Sequence, residues 1–205
     1  MDIILASRNK KKIQELKSII EACGFAGKDA TVTIHTPDEF PQCEEVEEDG
    51  ATFEANAVKK AVYIFECSGM TAVADDSGLE VDALGGAPGV FSARYAGEVT
   101  DDWANLEKLL REMEGVPDEK RGARFVCCIA LATRSGIKTF LGHVDGRLGT
   151  TPRGEKGFGY DPVFYPEGHD RTFAEMTDEE KSSMSHRGRA LRELQTYLKE
   201  QGLIL

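Results

Sequence analysis

Two adjacent carboxylates, Asp75 and Asp76, end a short apolar run and are followed at once by a small hydroxyl, Ser77, and a glycine, Gly78. Gly85, Gly86 and Gly89 crowd the next turn, and Arg94 closes the segment. An apolar strand with an acidic tip and a glycine-rich loop suits a metal-dependent phosphate enzyme. The strand fixes the carboxylate, and the loop lets backbone N–H groups approach an anion. Successive side chains of a strand face opposite ways, so only one of the two aspartates is expected to point into such a site. The same residues also read as an Asp-Ser-Gly turn that simply ends a strand.

Further segments offer partners for those carboxylates. Ser7-Arg8-Asn9-Lys10-Lys11-Lys12 lies between an expected strand and an expected helix. Helix N-termini attract anions, and basic residues there are disfavoured by the helix dipole unless an anion or solvent offsets them. The stretch is therefore a phosphate-binding candidate, with a solvated basic turn as the alternative. In the acidic run Glu44 to Asp49, one carboxylate could join Asp76 in holding Mg²⁺, which takes one or two protein carboxylates and completes its octahedron with water and phosphate oxygens. Acidic loops are otherwise simply solvated. Lys156 to Phe164 alternates small and aromatic residues around one acid. Phe158 or Tyr160 could stack on a base and Asp161 could accept from a purine edge, or the aromatics could anchor a glycine turn to the core. Lys181 and the trio Ser185-His186-Arg187 add donors near helix starts. Gly149 to Gly154 lacks the Gly-Lys-Ser/Thr of a Walker A loop, and Gly157-x-Gly159-x-x-Pro162 fails as a dinucleotide fingerprint.

The elements that must position these residues follow from periodicity. Asp2 to Ala6 reads as a buried strand, followed by a helix with Ile13, Leu16, Ile19 and Ile20 on one face and Gly24 as its stop. Val32 to Thr36 is a second strand, Thr52 to Ser68 a helix, and Thr71 to Ala74 the strand leading into the aspartates. Asp101 and Asp102 can cap a helix carrying Leu106, Leu109, Leu110 and Met113. Ala123 to Thr133 and Ile137 to Gly149 form an antiparallel pair joined at Arg134-Ser135-Gly136. Thr177-x-x-Glu180 is a capping box, and Ser185 can cap the last helix. Early alternation and a meander-like middle indicate an α/β fold with a mixed sheet.

The 205 residues suffice for one sizeable core or for two lobes sharing a sheet. A net charge of −11 argues against a general nucleic-acid or membrane-surface binder, without excluding a small anionic ligand held by a cation and a local basic cluster. No apolar run approaches a membrane span, and the N-terminal apolar stretch is too short for a signal peptide, so a cytoplasmic protein is expected. The five cysteines, Cys23, Cys43, Cys67, Cys127 and Cys128, include no C-x-x-C pair, and the four histidines lack metal-ligand spacing. Neither zinc nor a disulfide framework is expected.

Taken together, the motifs resemble those of the Ham1/RdgB-type inosine and xanthosine triphosphate pyrophosphatases over almost the full length. The strongest are Ala74 to Leu79, Gly85-Gly-Ala-Pro-Gly89, Ser92-Ala-Arg-Tyr95, Phe158-Gly-Tyr-Asp-Pro162 and Glu180-Lys-Ser182 through Ser185-His-Arg187, in the family's order. The resemblance implies a two-lobed α/β fold around a long, mixed, twisted sheet with flanking helices. It also implies a homodimer, with a purine nucleoside triphosphate in a cleft between the lobes. Ser7, Asn9 and Lys12 would grip the triphosphate within the Ser7 to Lys12 stretch. Glu48 and Asp76 would hold Mg²⁺, with Asp76 the general base, Asp75 supporting it and Lys60 facing the phosphates. Ser77 would contact substrate. Phe158, with Gly159 and Tyr160 beside it, would meet the base, and Asp161, Lys181, His186 and Arg187 would complete the nucleoside pocket. One departure is Ser7-Arg8-Asn9 where many members have Thr-Gly-Asn. The implied reaction is hydrolysis of non-canonical purine triphosphates (ITP, dITP, XTP) to monophosphate and pyrophosphate. The competing readings are a Maf-like nucleotide pyrophosphatase and a catalytically silent nucleotide sensor.

Overall fold

Six strands form one mixed sheet in the order β2-β1-β3-β4-β5-β6. In the computed structural model, which describes residues 2–22, 32–97 and 101–204, these are β1 (Asp2–Leu5), β2 (Thr33–His35), β3 (Ala72–Val81), β4 (Gly122–Thr133), β5 (Gly136–Leu148) and β6 (Phe164–Pro166). β1 pairs in parallel with β2 and with β3, and β5 pairs antiparallel with β6. β4 and β5 are sheet neighbours joined by Arg134 and Ser135 alone, a connection that only an antiparallel hairpin can make. The flanking helices are α1 (Lys10–Ala22), α2 (Phe53–Ser68), α3 (Asp102–Glu112), α4 (Asp178–Met184) and α5 (His186–Glu200). The expected helix stop at Gly24 and the cysteine at position 23 lie outside the described residues.

Local chemistry sets the helix ends. Thr52 accepts from Ala55 N to open α2, and Gly69, at φ +71°, closes it in the left-handed conformation that glycine adopts without strain. Asp101 accepts from Trp103 N and Ala104 N at the start of α3, and Thr177 with Glu180 forms the expected capping box of α4.

The chain divides into two compact units. Residues 1–76, 127–142 and 187–205 make the first, and 77–126 with 143–186 make the second. The core of the first collects Ile3, Leu5, Leu16, Ile19, Val73, Ile129, Leu191 and Leu194. That of the second collects Leu79, Leu106, Leu109, Phe125, Val144, Phe164 and Phe173. The chain passes between units at Asp76–Ser77, Val126–Cys127, Gly142–His143 and His186–Arg187.

Two sequence expectations change here. The strand expected to stop at Ala74 continues through both aspartates to Val81, so Asp75 to Gly78 is strand interior and not a terminating turn. Local turn preference is overridden because β3 lies inside the sheet between β1 and β4 and its charges find partners, as described below. The cysteine pattern also hid one disulfide, Cys43–Cys67, with Cα atoms 5.7 Å apart. Its ends are 24 residues apart, one before the acidic run and one in the last turn of α2, so only the packed chain brings them together. Closing a loop of that length stabilises by about 3 kcal/mol on the chain-entropy account. Adding dithiothreitol should lower the urea midpoint accordingly, whereas a Cys43→Ser variant should show no response to reductant.

Candidate active site

Strand alternation separates the two aspartates. Val73 and Asp75 share one face of β3, where Val73 joins the core built with α1 and α5, while Ala74 and Asp76 share the other. Each aspartate therefore meets a different set of partners.

Asp75 is fully buried and surrounded by cations. Its Oδ2 accepts from Arg187 Nη2 at 3.1 Å and Nε at 3.4 Å, and Lys12 Nζ lies 3.6 Å away. Arg187 Nη1 donates in turn to Glu15 on α1. Lys12 and Glu15 are three residues apart on α1, so one face of that helix delivers both a cation to Asp75 and an anion to its arginine. Burial by itself would push the Asp75 carboxyl up, but Lys12, Arg187 and Lys60 outweigh it and hold it well below the usual carboxylate range. Asp75 is a fixed anion.

Asp76 lies in the opposite electrostatic setting. Burial pushes its carboxyl up, and Glu48 adds to that, against the pull of Lys60, Lys12 and the amide of Asn56. The net direction is upward, as a general base near neutral pH requires. Asn56 Nδ2 donates to Asp76 Oδ2 at 3.0 Å, and Lys60 Nζ lies 3.7 Å from Oδ1. Lys60 also donates to Glu48 Oε1 at 2.5 Å and to the Asp75 carbonyl at 2.6 Å. Burial opposes the Lys60 charge, yet Asp76, Glu48 and Asp75 together raise its pKa, so it remains an ammonium. Of the acidic run, Glu48 is the carboxylate that converges with Asp76 on this lysine, while Asp49 pairs with Lys59.

Ahead of α1, Asn9 Oδ1 caps the helix by accepting from Lys11 N at 3.0 Å and Lys12 N at 3.2 Å, and Ser7 Oγ accepts from Asn9 N. With its oxygen so used, Asn9 can offer an anion only its NH₂ group. Lys10 and Lys11 are exposed, and Lys12 turns inward to Asp75. Arg8 reaches sideways, donating to the Cys43 carbonyl at 2.7 Å and to Asp38. Where a glycine would leave the turn untethered, this arginine ties it to the segment that leads into the acidic run.

The second unit holds a separate constellation. Asp161 Oδ2 accepts from Phe158 N and from Lys181 Nζ, both at 2.8 Å, and the Lys181 ammonium lies 5.0 Å from the Phe158 ring centroid. Gly157, at φ +70°, permits this turn, since a Cβ there would fall 2.1 Å from Asp161 Oδ2. His186 stacks on Phe125 with centroids 4.8 Å apart and planes 9° apart. Gly159 continues the turn, also at positive φ, and Ser77 is the half-exposed residue after Asp76.

Two sequence readings are corrected. Tyr160 is buried in the core of its unit and donates its hydroxyl to the Ser92 carbonyl, so it anchors the loop, whereas Phe158 is partly exposed. Arg187 lies in the first unit, where its guanidinium donates to both Asp75 and Glu15. The glycine loop is not a phosphate cradle. The N–H groups of Gly85, Gly86 and Ala87 donate to Asp82, Val81 and Leu84 carbonyls, and Ser92 fastens the loop by accepting from Leu79 N.

Sequence reading missed Glu15 and Asn56. Asn56 carried a signal, being a polar residue on the buried face of α2, in line with Phe53 and Lys60 at helical spacing.

A model of the Ham1 family matches residues 3–197. The chain is 52% identical over 193 residues to a dITP/XTP pyrophosphatase of Desulforamulus reducens, covering 94% of this chain and 92% of that protein. Among solved structures, the Ham1 protein of Staphylococcus aureus superposes with a TM-score of 0.85 at 40% identity, covering 98% of this chain and all of the other. A dITP/XTP pyrophosphatase from Mycobacterium abscessus matches with a TM-score of 0.75 at 48% identity, covering 95% of this chain and 97% of its own.

Proposed function

Because the chain belongs to the Ham1 family, we propose that it is a Mg²⁺-dependent pyrophosphatase that hydrolyses non-canonical purine nucleoside triphosphates (ITP, dITP and XTP) and so clears them from the nucleotide pool. The observation that carries the reading is the opposite setting of two neighbouring aspartates. Asp75 is pinned as an anion by Lys12 and Arg187, while Asp76 has a raised pKa and shares Lys60 with Glu48. Environments that drive adjacent acids apart are how one site keeps a counter-ion and a base side by side.

Asp76 and Glu48 fit Mg²⁺. They supply oxygen donors only, and both already bracket one cation, the Lys60 ammonium. Mg²⁺ takes one or two protein carboxylates and leaves most of its positions to water and phosphate. Bound there, Mg²⁺ supplies neutralisation of charge on the phosphate oxygens.

This chain's own residues do the rest. Asp76 takes a proton from a water molecule as the water oxygen bonds to the α-phosphorus. The bond from that phosphorus to the α–β bridging oxygen breaks, and the electron pair leaves with pyrophosphate. Lys60 and Lys12, with the NH₂ group of Asn9 and the hydroxyl of Ser7, attract the triphosphate. Phe158 offers a stacking face to the base, and Lys181 and His186 offer donors to a 6-keto oxygen. Adenine would leave those buried donors facing an amino group, and that mismatch is the source of selectivity. By the same family resemblance we take the protein to be a homodimer acting in the cytoplasm. Among the described residues no helix is long and apolar enough to cross a membrane.

The test is a substrate panel with Mg²⁺, scored for pyrophosphate. Release from ITP, dITP and XTP should exceed release from ATP by about 100-fold or more, the scale on which unpaired buried donors discriminate. Orthophosphate as the product would refute the bond cleavage. A preference for other nucleotides would favour a Maf-like enzyme, and binding without turnover a sensor.

A further inference from the structure

The buried carboxamide of Asn56 joins two parts of the site that are remote in sequence. Its Nδ2 donates to Asp76 Oδ2 at 3.0 Å, and its Oδ1 accepts from Gly50 N at 2.7 Å. Gly50 lies two residues beyond Glu48, so one planar group is bonded both to the proposed base and to the segment carrying the proposed second metal ligand. Asn56 is completely buried, and the fit is close, since a Cβ on Gly50 would fall 2.6 Å from Asn56 Oδ1. A carboxamide has one acceptor end and one donor end. With the acceptor end held by a backbone N–H, the NH₂ end must face Asp76. It therefore fixes which carboxylate oxygen is engaged and leaves Oδ1 on the side of Lys60.

We propose that Asn56 is a positioning residue for the hydrolysis, holding Asp76 and the Glu48 segment in register through a single side chain. The proposal rests on the reading that Asp76 and Glu48 serve the reaction. Asn56 touches no substrate group in this scheme, so its loss should act on kcat and leave substrate affinity alone. Gly50 has a second role in it, because its missing side chain is what admits the carboxamide.

The experiment is a double-mutant cycle of Asn56→Ala and Gly50→Ala, read by steady-state kinetics on ITP and by amide hydrogen exchange at residue 50. Asn56→Ala should lower kcat by about 10- to 100-fold, the usual effect of losing a group that orients a metal ligand, with KM within about twofold. Exchange at Gly50 should speed up by about tenfold or more as its N–H loses its acceptor. Gly50→Ala should do the same by displacing the carboxamide. The double variant should be little worse than Asn56→Ala alone, since removing the side chain removes the two contacts with the carboxamide and leaves only a tight approach to Ala55 Cβ at 3.0 Å. Additive losses, or a lowered Tm with kcat of the folded enzyme unchanged, would overturn the proposal. If Asn56→Ala does not fold, Gly50→Ala alone decides by the same two readouts. A wild-type protein that releases no pyrophosphate would instead defeat the functional reading, and exchange at residue 50 would still report on the bridge.

Discussion

Asp76→Asn is expected to abolish pyrophosphate release, lowering kcat by about 10²- to 10⁴-fold, the range for removal of a general base, while the fold persists or becomes more stable. The geometry specifies how. Asn56 Nδ2 requires an acceptor at the Oδ2 position, so the introduced carboxamide turns its oxygen there and its NH₂ toward Lys60. It can accept no proton from water, and it brings no charge to a metal. The stability side follows from linkage. The folded state raises the Asp76 pKa, chiefly by burial, so it binds that proton more tightly than the unfolded chain does. The ionised form therefore costs stability at neutral pH, and the cost is absent below the ordinary carboxylate range, where the group is protonated in both states. A neutral isostere removes that cost. Thermal unfolding at pH 7 alongside a pyrophosphate assay checks both halves. A variant with full turnover would remove Asp76 as the base, and a sharply lowered Tm would contradict the electrostatic account.

Arg187→Met carries the largest expected effect on stability, a loss of about 3–5 kcal/mol at pH 7, as when one partner of a buried ion pair is removed. The guanidinium is 1% exposed and is engaged by Asp75 and Glu15, so its removal leaves two carboxylates with Lys12 as the nearest remaining cation on Asp75. In the wild type, Asp75 has a depressed pKa, and its contribution is fully present above the unfolded value near 4 and is lost as pH falls below it. Without Arg187 only Lys12 and Lys60 oppose the burial penalty, so the same carboxyl moves upward from its wild-type position and protonates more readily as pH falls. The deficit between variant and wild type should therefore shrink as pH is lowered from 7 toward 4. Urea unfolding at several pH values measures it, and a deficit that does not change with pH would show that Asp75 is not the group at stake.

Much of this molecule could be read from local patterns. The apolar periodicity of α2 and α3, the Thr52 and Asp101 caps and the Thr177–Glu180 capping box are short-range effects, and their elements stand within a residue or two of expectation. The order of the rare motifs pointed to the family. The failures share a different character. Asp75-Asp76-Ser77-Gly78 has turn composition, yet it lies inside β3 because the strand is paired and its charges are met by residues 12, 60 and 187. Tyr160 and Phe158 are two residues apart and equally aromatic, and only packing sends one to the core. Cys43 and Cys67 meet through the fold of the segment between them.

The opening pair of aspartates marks the division. Their identity and adjacency were determined by sequence alone, whereas the fold carried the strand through both, so that their side chains face opposite ways. The family resemblance named Asp76 the base and Asp75 its support, and the opposite electrostatic settings of the two come from tertiary structure. Burial raises both, and the outcome depends on which cations arrive from distant segments: Lys12 and Arg187 at Asp75, Lys60 and the Asn56 amide at Asp76. Electrostatic interactions fall off over a few ångströms in space and take no account of separation along the chain.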